Sequence, residues 1–93
     1  MTPPETYAPT PDEESVLDAL HFVLNFADLK TETRLEDERL LAAIENLTAL
    51  ELVEVLEWHE ARKEFFPPRD IHLPLERYAF LATARGLRVI HSA

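Results

Sequence analysis

The chain has 93 residues with eighteen acidic and nine basic side chains, a net charge of −9 and a pI near 4.8. That length holds one domain, and 46% hydrophobic residues are enough for a packed core. No cysteine is present, which excludes disulfides, thiolate metal sites and cysteine nucleophiles. The single glycine, Gly86, cannot build a phosphate-cradling loop. No apolar run approaches a membrane span, and the N-terminus lacks the basic and apolar regions of a signal peptide, so a soluble, cytoplasmic protein is expected.

Charge is segregated along the chain. Residues 1–33 and 34–60 each carry −6, whereas residues 61–93 carry +3. Residues 1–10 contain Pro3, Pro4 and Pro9 without periodicity and are read as a disordered N-terminal tail, leaving 11–93 as the domain. Thr10-Pro11-Asp12-Glu13 then gives a helix start: a threonine cap, proline at the first helical position, and a glutamate placed to close a capping box. Val16, Leu17, Leu20, Val23, Leu24 and Ala27 follow at helical spacing. A further short helix is expected around Asp28–Thr31, and another start at Thr33 or Glu36. From there Leu40, Leu41, Ile44 and Leu47 mark a buried face, and Glu38, Arg39, Ala42, Glu45, Asn46 and Ala49 the opposite one.

Beyond Leu50 two readings stay open. Leu52, Val53, Val55, Leu56 and Trp58 suit a strand, yet Leu52, Val55, Trp58 and His59 also continue the helical stripe. The second reading makes an all-α bundle with one long helix over residues 36–66. Pro67 and Pro68 end either element. Residues 71–75 are expected as loop, 77–82 as a strand and 84–90 as a closing helix.

Two stretches carry a resemblance. In the first, residues 28–55, Thr33-Arg34-Leu35 precedes a helix with spaced leucines, and Leu50-Glu51-Leu52-Val53 leads out of it. In the second, Thr83-Ala84-Arg85-Gly86 follows a candidate strand. Together they resemble the winged helix-turn-helix regulators of the MarR and PadR type. The resemblance implies a single α+β domain with a recognition helix over residues 36–50 and a wing beyond it. Arg34 and Glu51 stand where those proteins carry glycine, and the implied wing, residues 58–76, has no glycine or asparagine at its tip.

The recognition helix is poorly made for DNA. It opens with Glu36-Asp37-Glu38 and offers only Arg39 and Asn46 as donors. A DNA-binding regulator would have to draw on Arg39, Arg62, Lys63, Arg69, Arg85 and Arg88. The favoured expectation is a non-catalytic module that engages a protein partner with a basic surface, or a second copy of itself. Its contact residues are expected to be Glu38, Arg39, Ala42, Ala43, Glu45, Asn46, Phe65 and Phe66. An acidic inhibitor mimicking DNA is a third reading.

Catalysis and metals are not expected. His59-Glu60-Ala61-Arg62-Lys63 ends in lysine where a zinc-protease motif needs a second histidine, and His21, His72 and His91 are scattered. Ser15 and Ser92 occupy no nucleophile elbow. No cofactor is implied.

Overall fold

A computed structural model describes residues 7–91. In chain order the elements are α1 (Pro11–Ala19), β1 (Leu24–Asn25), α2 (Phe26–Thr33), α3 (Asp37–Ala49), β2 (Val53–His59), β3 (Glu64–Phe66), a short 3-10 turn (Leu75–Arg77), β4 (Ala79–Ala82) and α4 (Ala84–His91). The fold is α+β: the described helices pack beside one antiparallel sheet of order β1-β4-β2-β3, compatible with a winged-helix-like arrangement. No helix among the described residues is long and apolar enough to cross a membrane.

The start of α1 forms as its sequence dictates. Thr10 caps the helix, its side chain accepting from the Glu13 N–H, while the Glu13 carboxylate accepts from the Thr10 N–H. The apolar stripe from Val16 to Ala27 does not continue as one helix, however. Leu20 ends α1, Leu24 enters β1 opposite Phe80, and Asn25 begins α2 by accepting a hydrogen bond from the Asp28 N–H at 2.8 Å. Leu17 and Leu20 stay buried at the end of α1, while Leu24 is half-buried against the core in β1. The asparagine cap is the local signal that divides the stripe.

The helix over residues 36–66 is not formed, and the reason lies at Glu51. This residue takes φ 60°, the Glu51 N–H reaches the Thr48 carbonyl, and the Leu52 N–H reaches the Leu47 carbonyl. These are the two bonds of a Schellman ending, closed by contact between buried Leu47 and Leu52. Arg34, at φ 61°, ends α2 in the same left-handed region, and Lys63, at φ 55°, closes the turn between β2 and β3. Among the described residues the left-handed positions are therefore held by Arg34, Glu51 and Lys63, whose side chains disfavour that region.

The one glycine serves a different purpose. Thr83 caps α4 by accepting from the Gly86 N–H, and its hydroxyl donates to the Glu51 carbonyl at 2.9 Å. This draws the first turn of α4 onto the beginning of β2. A Cβ on Gly86 would overlap the Leu52 carbonyl oxygen and crowd Leu17. Gly86 is needed for closeness, not for backbone freedom.

Val16, Leu17, Leu20, Leu29, Leu40, Ile44, Leu47, Leu52 and Phe80 fill the core. One charged group enters it. Glu13 is 5% exposed and accepts from the Tyr7 hydroxyl at 2.6 Å, the Thr10 N–H at 3.0 Å and the Asn46 side-chain amide at 2.6 Å. Of the expected tail, residues 1–6 lie outside the described residues, while Tyr7 is docked onto α1 and α3 through this carboxylate.

Burial pushes the Glu13 carboxyl upward, but hydrogen bonds from Tyr7, the Thr10 backbone and Asn46 outweigh it and hold the group below the ordinary glutamate value. Folding therefore favours the ionised form. The resulting stability is complete above the ordinary glutamate pKa of about 4.3 and is lost as pH falls through the folded value. Urea denaturation at neutral and acid pH is expected to show this acid loss in the wild type and a smaller one in Glu13→Gln, which starts less stable.

The backbone analysis makes opposite predictions for two glycine exchanges. Gly86→Ala is expected to lower stability by about 1–3 kcal/mol through overpacking. Glu51→Gly is expected to raise it by about 1 kcal/mol by relieving the left-handed strain. Chemical denaturation midpoints decide both.

Candidate functional site

Beyond its pairing with β4, strand β2 runs on as a two-stranded ribbon with β3, Glu57 opposite Phe66, Trp58 opposite Phe65 and His59 opposite Glu64. Alternation along a strand puts Trp58 and Phe65 on one face and His59 and Phe66 on the other. Trp58 and Phe65 meet edge to face with centroids 4.9 Å apart, and His59 and Phe66 do the same at 5.0 Å. The Arg62 guanidinium lies 5.2 Å from the centre of the Phe66 ring. At the tip, Glu60 accepts from the Trp58 indole and from Lys63. The Lys63 bond, and after it the Trp58 bond, lowers the carboxyl pKa of Glu60.

The return path is pinned too. The Tyr78 hydroxyl accepts from the backbone N–H groups of His72 and Leu73, both at 3.3 Å, so the proline-rich segment after β3 is held against the base of the wing. A groove of about 510 Å³ lies between Trp58 and Phe65 on one side and Asn25, Phe26, Arg77 and Tyr78 on the other. On the opposite face a second groove, about 470 Å³, is lined by His59, Arg62, Phe66, Pro68, Arg69 and His72, with Glu57 and Asp70 supplying acid. One face of the wing thus exposes paired aromatics, Trp58 46% and Phe65 41% exposed, the other carries half-buried Phe66 beside exposed His59, and Ile71 and Leu73 extend the apolar surface along the return loop. Isolated exposed apolar residues are ordinary, but paired aromatics beside a groove are how interfaces present their anchors.

The expected contact residues on α3 are only partly available. Ala43 is 4% exposed and belongs to the core, so its assignment to a partner surface is corrected: it sits where α3 packs on α1. Asn46 donates to Glu13 and to the Tyr7 hydroxyl, and Arg39 is held by Asp12 through its Nε at 2.9 Å and Nη2 at 2.5 Å. Both are engaged in holding α3 to the N-terminal segment and α1. Glu38, Ala42 and Glu45 remain exposed. Phe65 and Phe66 lie on wing strand β3, Phe65 exposed and Phe66 half-buried.

The basic residues do not form one patch. Arg62 and Arg69 share the second groove, and Lys63 is paired with Glu60 at the tip. Arg85 lies 3.9 Å from Glu51 and, like Arg88, belongs to α4 at the opposite end of β2. The seven residues of β2, Val53–His59, separate the two groups by about 20 Å of extended strand. The outward face of α3 keeps exposed Glu38 and Glu45, while the arginines lie on the wing and on α4.

Sequence reasoning missed Trp58 and Arg77 as elements of the wing surface, and Tyr7 as a partner of the buried Glu13. Trp58 was discoverable: folding the chain about residues 60–63 sets it against Phe65. Tyr7 and Arg77 gave no local signal, because their roles depend on residues distant in the chain. No family model matches the chain, and neither a curated protein nor a solved structure matches it.

Because the wing aromatics are half exposed, Trp58→Ala and Phe65→Ala are each expected to cost no more than about 1.5 kcal/mol. Phe80→Ala, in the core, is expected to cost about 3–5 kcal/mol. Urea titrations of the three variants test that contrast, and a wing variant as damaging as the core variant would show that the ribbon is structural.

Proposed function

We propose that the protein is a non-catalytic regulatory module of the winged-helix type that binds a protein partner, or a second copy of itself, through its wing and the adjacent outward face of α3. The observation that carries this reading is the solvent-facing aromatic ribbon. Four rings lie on two strands, two large side chains are about half exposed, and a groove opens on each face. Association would bury these rings, which is the burial that most strongly drives protein interfaces.

The element order supports the winged-helix part of the proposal. A short strand separates α1 from α2, α3 leads into β2, and the chain returns through β4 between β1 and β2. The left-handed endings at Arg34 and Glu51 stand at the positions where the resemblance places glycine. Charge supports a protein partner over DNA. The helix that would enter a groove presents Glu38 and Glu45, while Arg39 is already engaged by Asp12. A partner with basic surface beside its contact region meets both the net charge of −9 and the acidic face of α3.

Two measurements separate the readings. Sedimentation of the wild type and of a Trp58→Ala/Phe65→Ala double variant, both checked for folding by circular dichroism, tests self-association. Affinity capture with the same pair of baits tests for a partner. Association that disappears in the double variant, and weakens in Ala42→Arg, is the expected result. Titration with a mixed-sequence duplex at about 10 mM salt, where non-specific attraction is strongest, tests the alternative DNA-binding regulator. Duplex binding that collapses with salt and falls in Arg69→Ala and Arg85→Ala would overturn the protein-partner reading.

A further inference from the structure

At the end opposite the wing, two histidines separated by seventy residues of sequence come together. His21 follows the C-terminus of α1, and His91 is the last residue of α4. Their Nε2 atoms are 3.0 Å apart and their ring centres 5.2 Å apart. The Nδ1 of His21 lies 2.7 Å from the Asp18 carbonyl oxygen. A carbonyl oxygen cannot donate, so the His21 Nδ1 must carry the proton and donate it. In the neutral ring this leaves the Nε2 lone pair bare and directed at His91. A backbone carbonyl orienting the far nitrogen of an imidazole is the outer-shell contact that metal-binding histidines use.

We propose that His21 and His91 form a binding site for a divalent transition-metal ion of the zinc class, linking the end of α1 to the end of α4. The proposal is independent of the function assigned to the wing. An ion about 2.0–2.1 Å from each of two imidazole nitrogens in tetrahedral geometry holds them about 3.3 Å apart, so the nitrogens separate by a few tenths of an ångström and each ring turns to aim its lone pair at the ion rather than at the other ring. Both side chains are exposed, which leaves room for that swing. His91 gives up its Nε2 proton by moving to the Nδ1–H tautomer, the one His21 already holds. Glu14 and Asp18 line the same cleft as His91, about 280 Å³, and set it in negative potential. No three histidine or carboxylate side chains converge on one metal position among the described residues. The ion therefore has two protein ligands, completes its coordination with water, and exchanges readily.

The backbone holds the two rings in place. Gly86 allows α4 to press against β2, and the Ala82 N–H donates to the Leu20 carbonyl at 3.0 Å, fixing the chain just before His21 beside the strand that leads into α4. The backbone positions of the two residues are thus set by packed elements, while their exposed side chains keep room to turn.

The test is Zn2+ titration of the full chain, read by the side-chain nitrogen resonances of its histidines and by the thermal midpoint. Saturable one-to-one binding is expected, with the largest changes at the Nε2 of His21 and His91 and a midpoint that rises with Zn2+. His21→Ala and His91→Ala, exposed substitutions whose folding circular dichroism can verify, should each weaken affinity by at least about tenfold. A His59→Ala/His72→Ala double variant, altered only on the wing, should bind as the wild type does. Absence of binding at millimolar Zn2+, affinity unchanged in either single variant, or affinity lost in the wing double variant would each overturn the proposal.

Discussion

The pairing of β2 with β4 is the constraint on which the rest of the molecule depends. Val53 lies opposite Ala82, and Leu56 opposite Ala79, so residues more than twenty apart in sequence form one antiparallel ladder. Everything between them becomes an excursion from that ladder, and everything after it is delivered to a fixed place. The ladder sets the base from which the ribbon of β2 and β3 projects. It also brings α4 onto the beginning of β2, where Thr83 reaches the Glu51 carbonyl and Gly86 lies against Leu52. One long-range pairing thereby positions two surfaces at opposite ends of the same strand.

Electrostatics divides the molecule differently from composition. The acidic two-thirds of the chain does not simply form an acidic exterior, since its most consequential carboxylate is Glu13, buried and satisfied by three donors. That arrangement turns a capping residue into the joint between the N-terminal segment, α1 and α3. It also engages Asn46, just as Asp12 engages Arg39. The side chains that α3 has left to offer a partner are thus acidic or small, and the large contact groups are on the wing.

Much of the fold was legible locally. The capping box at Thr10 and Glu13 and the leucines of α3 carry their own signal, because capping and amphipathic periodicity are decided within a few residues, whereas the run over β2 fits a strand and a helical stripe alike. The stripe from Val16 to Ala27 misled for a physical reason. Val16, Leu17 and Leu20 are buried as the stripe requires, but past the break Val23 and Leu24 are half-buried, Ala27 is exposed and Phe26, off the stripe, is buried, and periodicity does not register that break. The candidate contact residues divide in the same way. Phe65 stands exposed on the wing, whereas Ala43 is core, since a small residue on a helix reads alike whether it faces solvent or allows a neighbouring helix to approach.

The sequence by itself determined the start of α1, the buried leucine face of α3 and the asymmetry of charge, all of which follow from short-range capping, periodicity and composition, whereas the choice between an α+β domain and an all-α bundle fell to the tertiary structure. Tertiary structure alone decided which carboxylate is buried, which cations are already paired, and which aromatics stay exposed. It alone brought His21 to His91. These features depend on distances between residues far apart in the chain, and such distances are fixed only when the β2–β4 ladder closes and the helices pack around it.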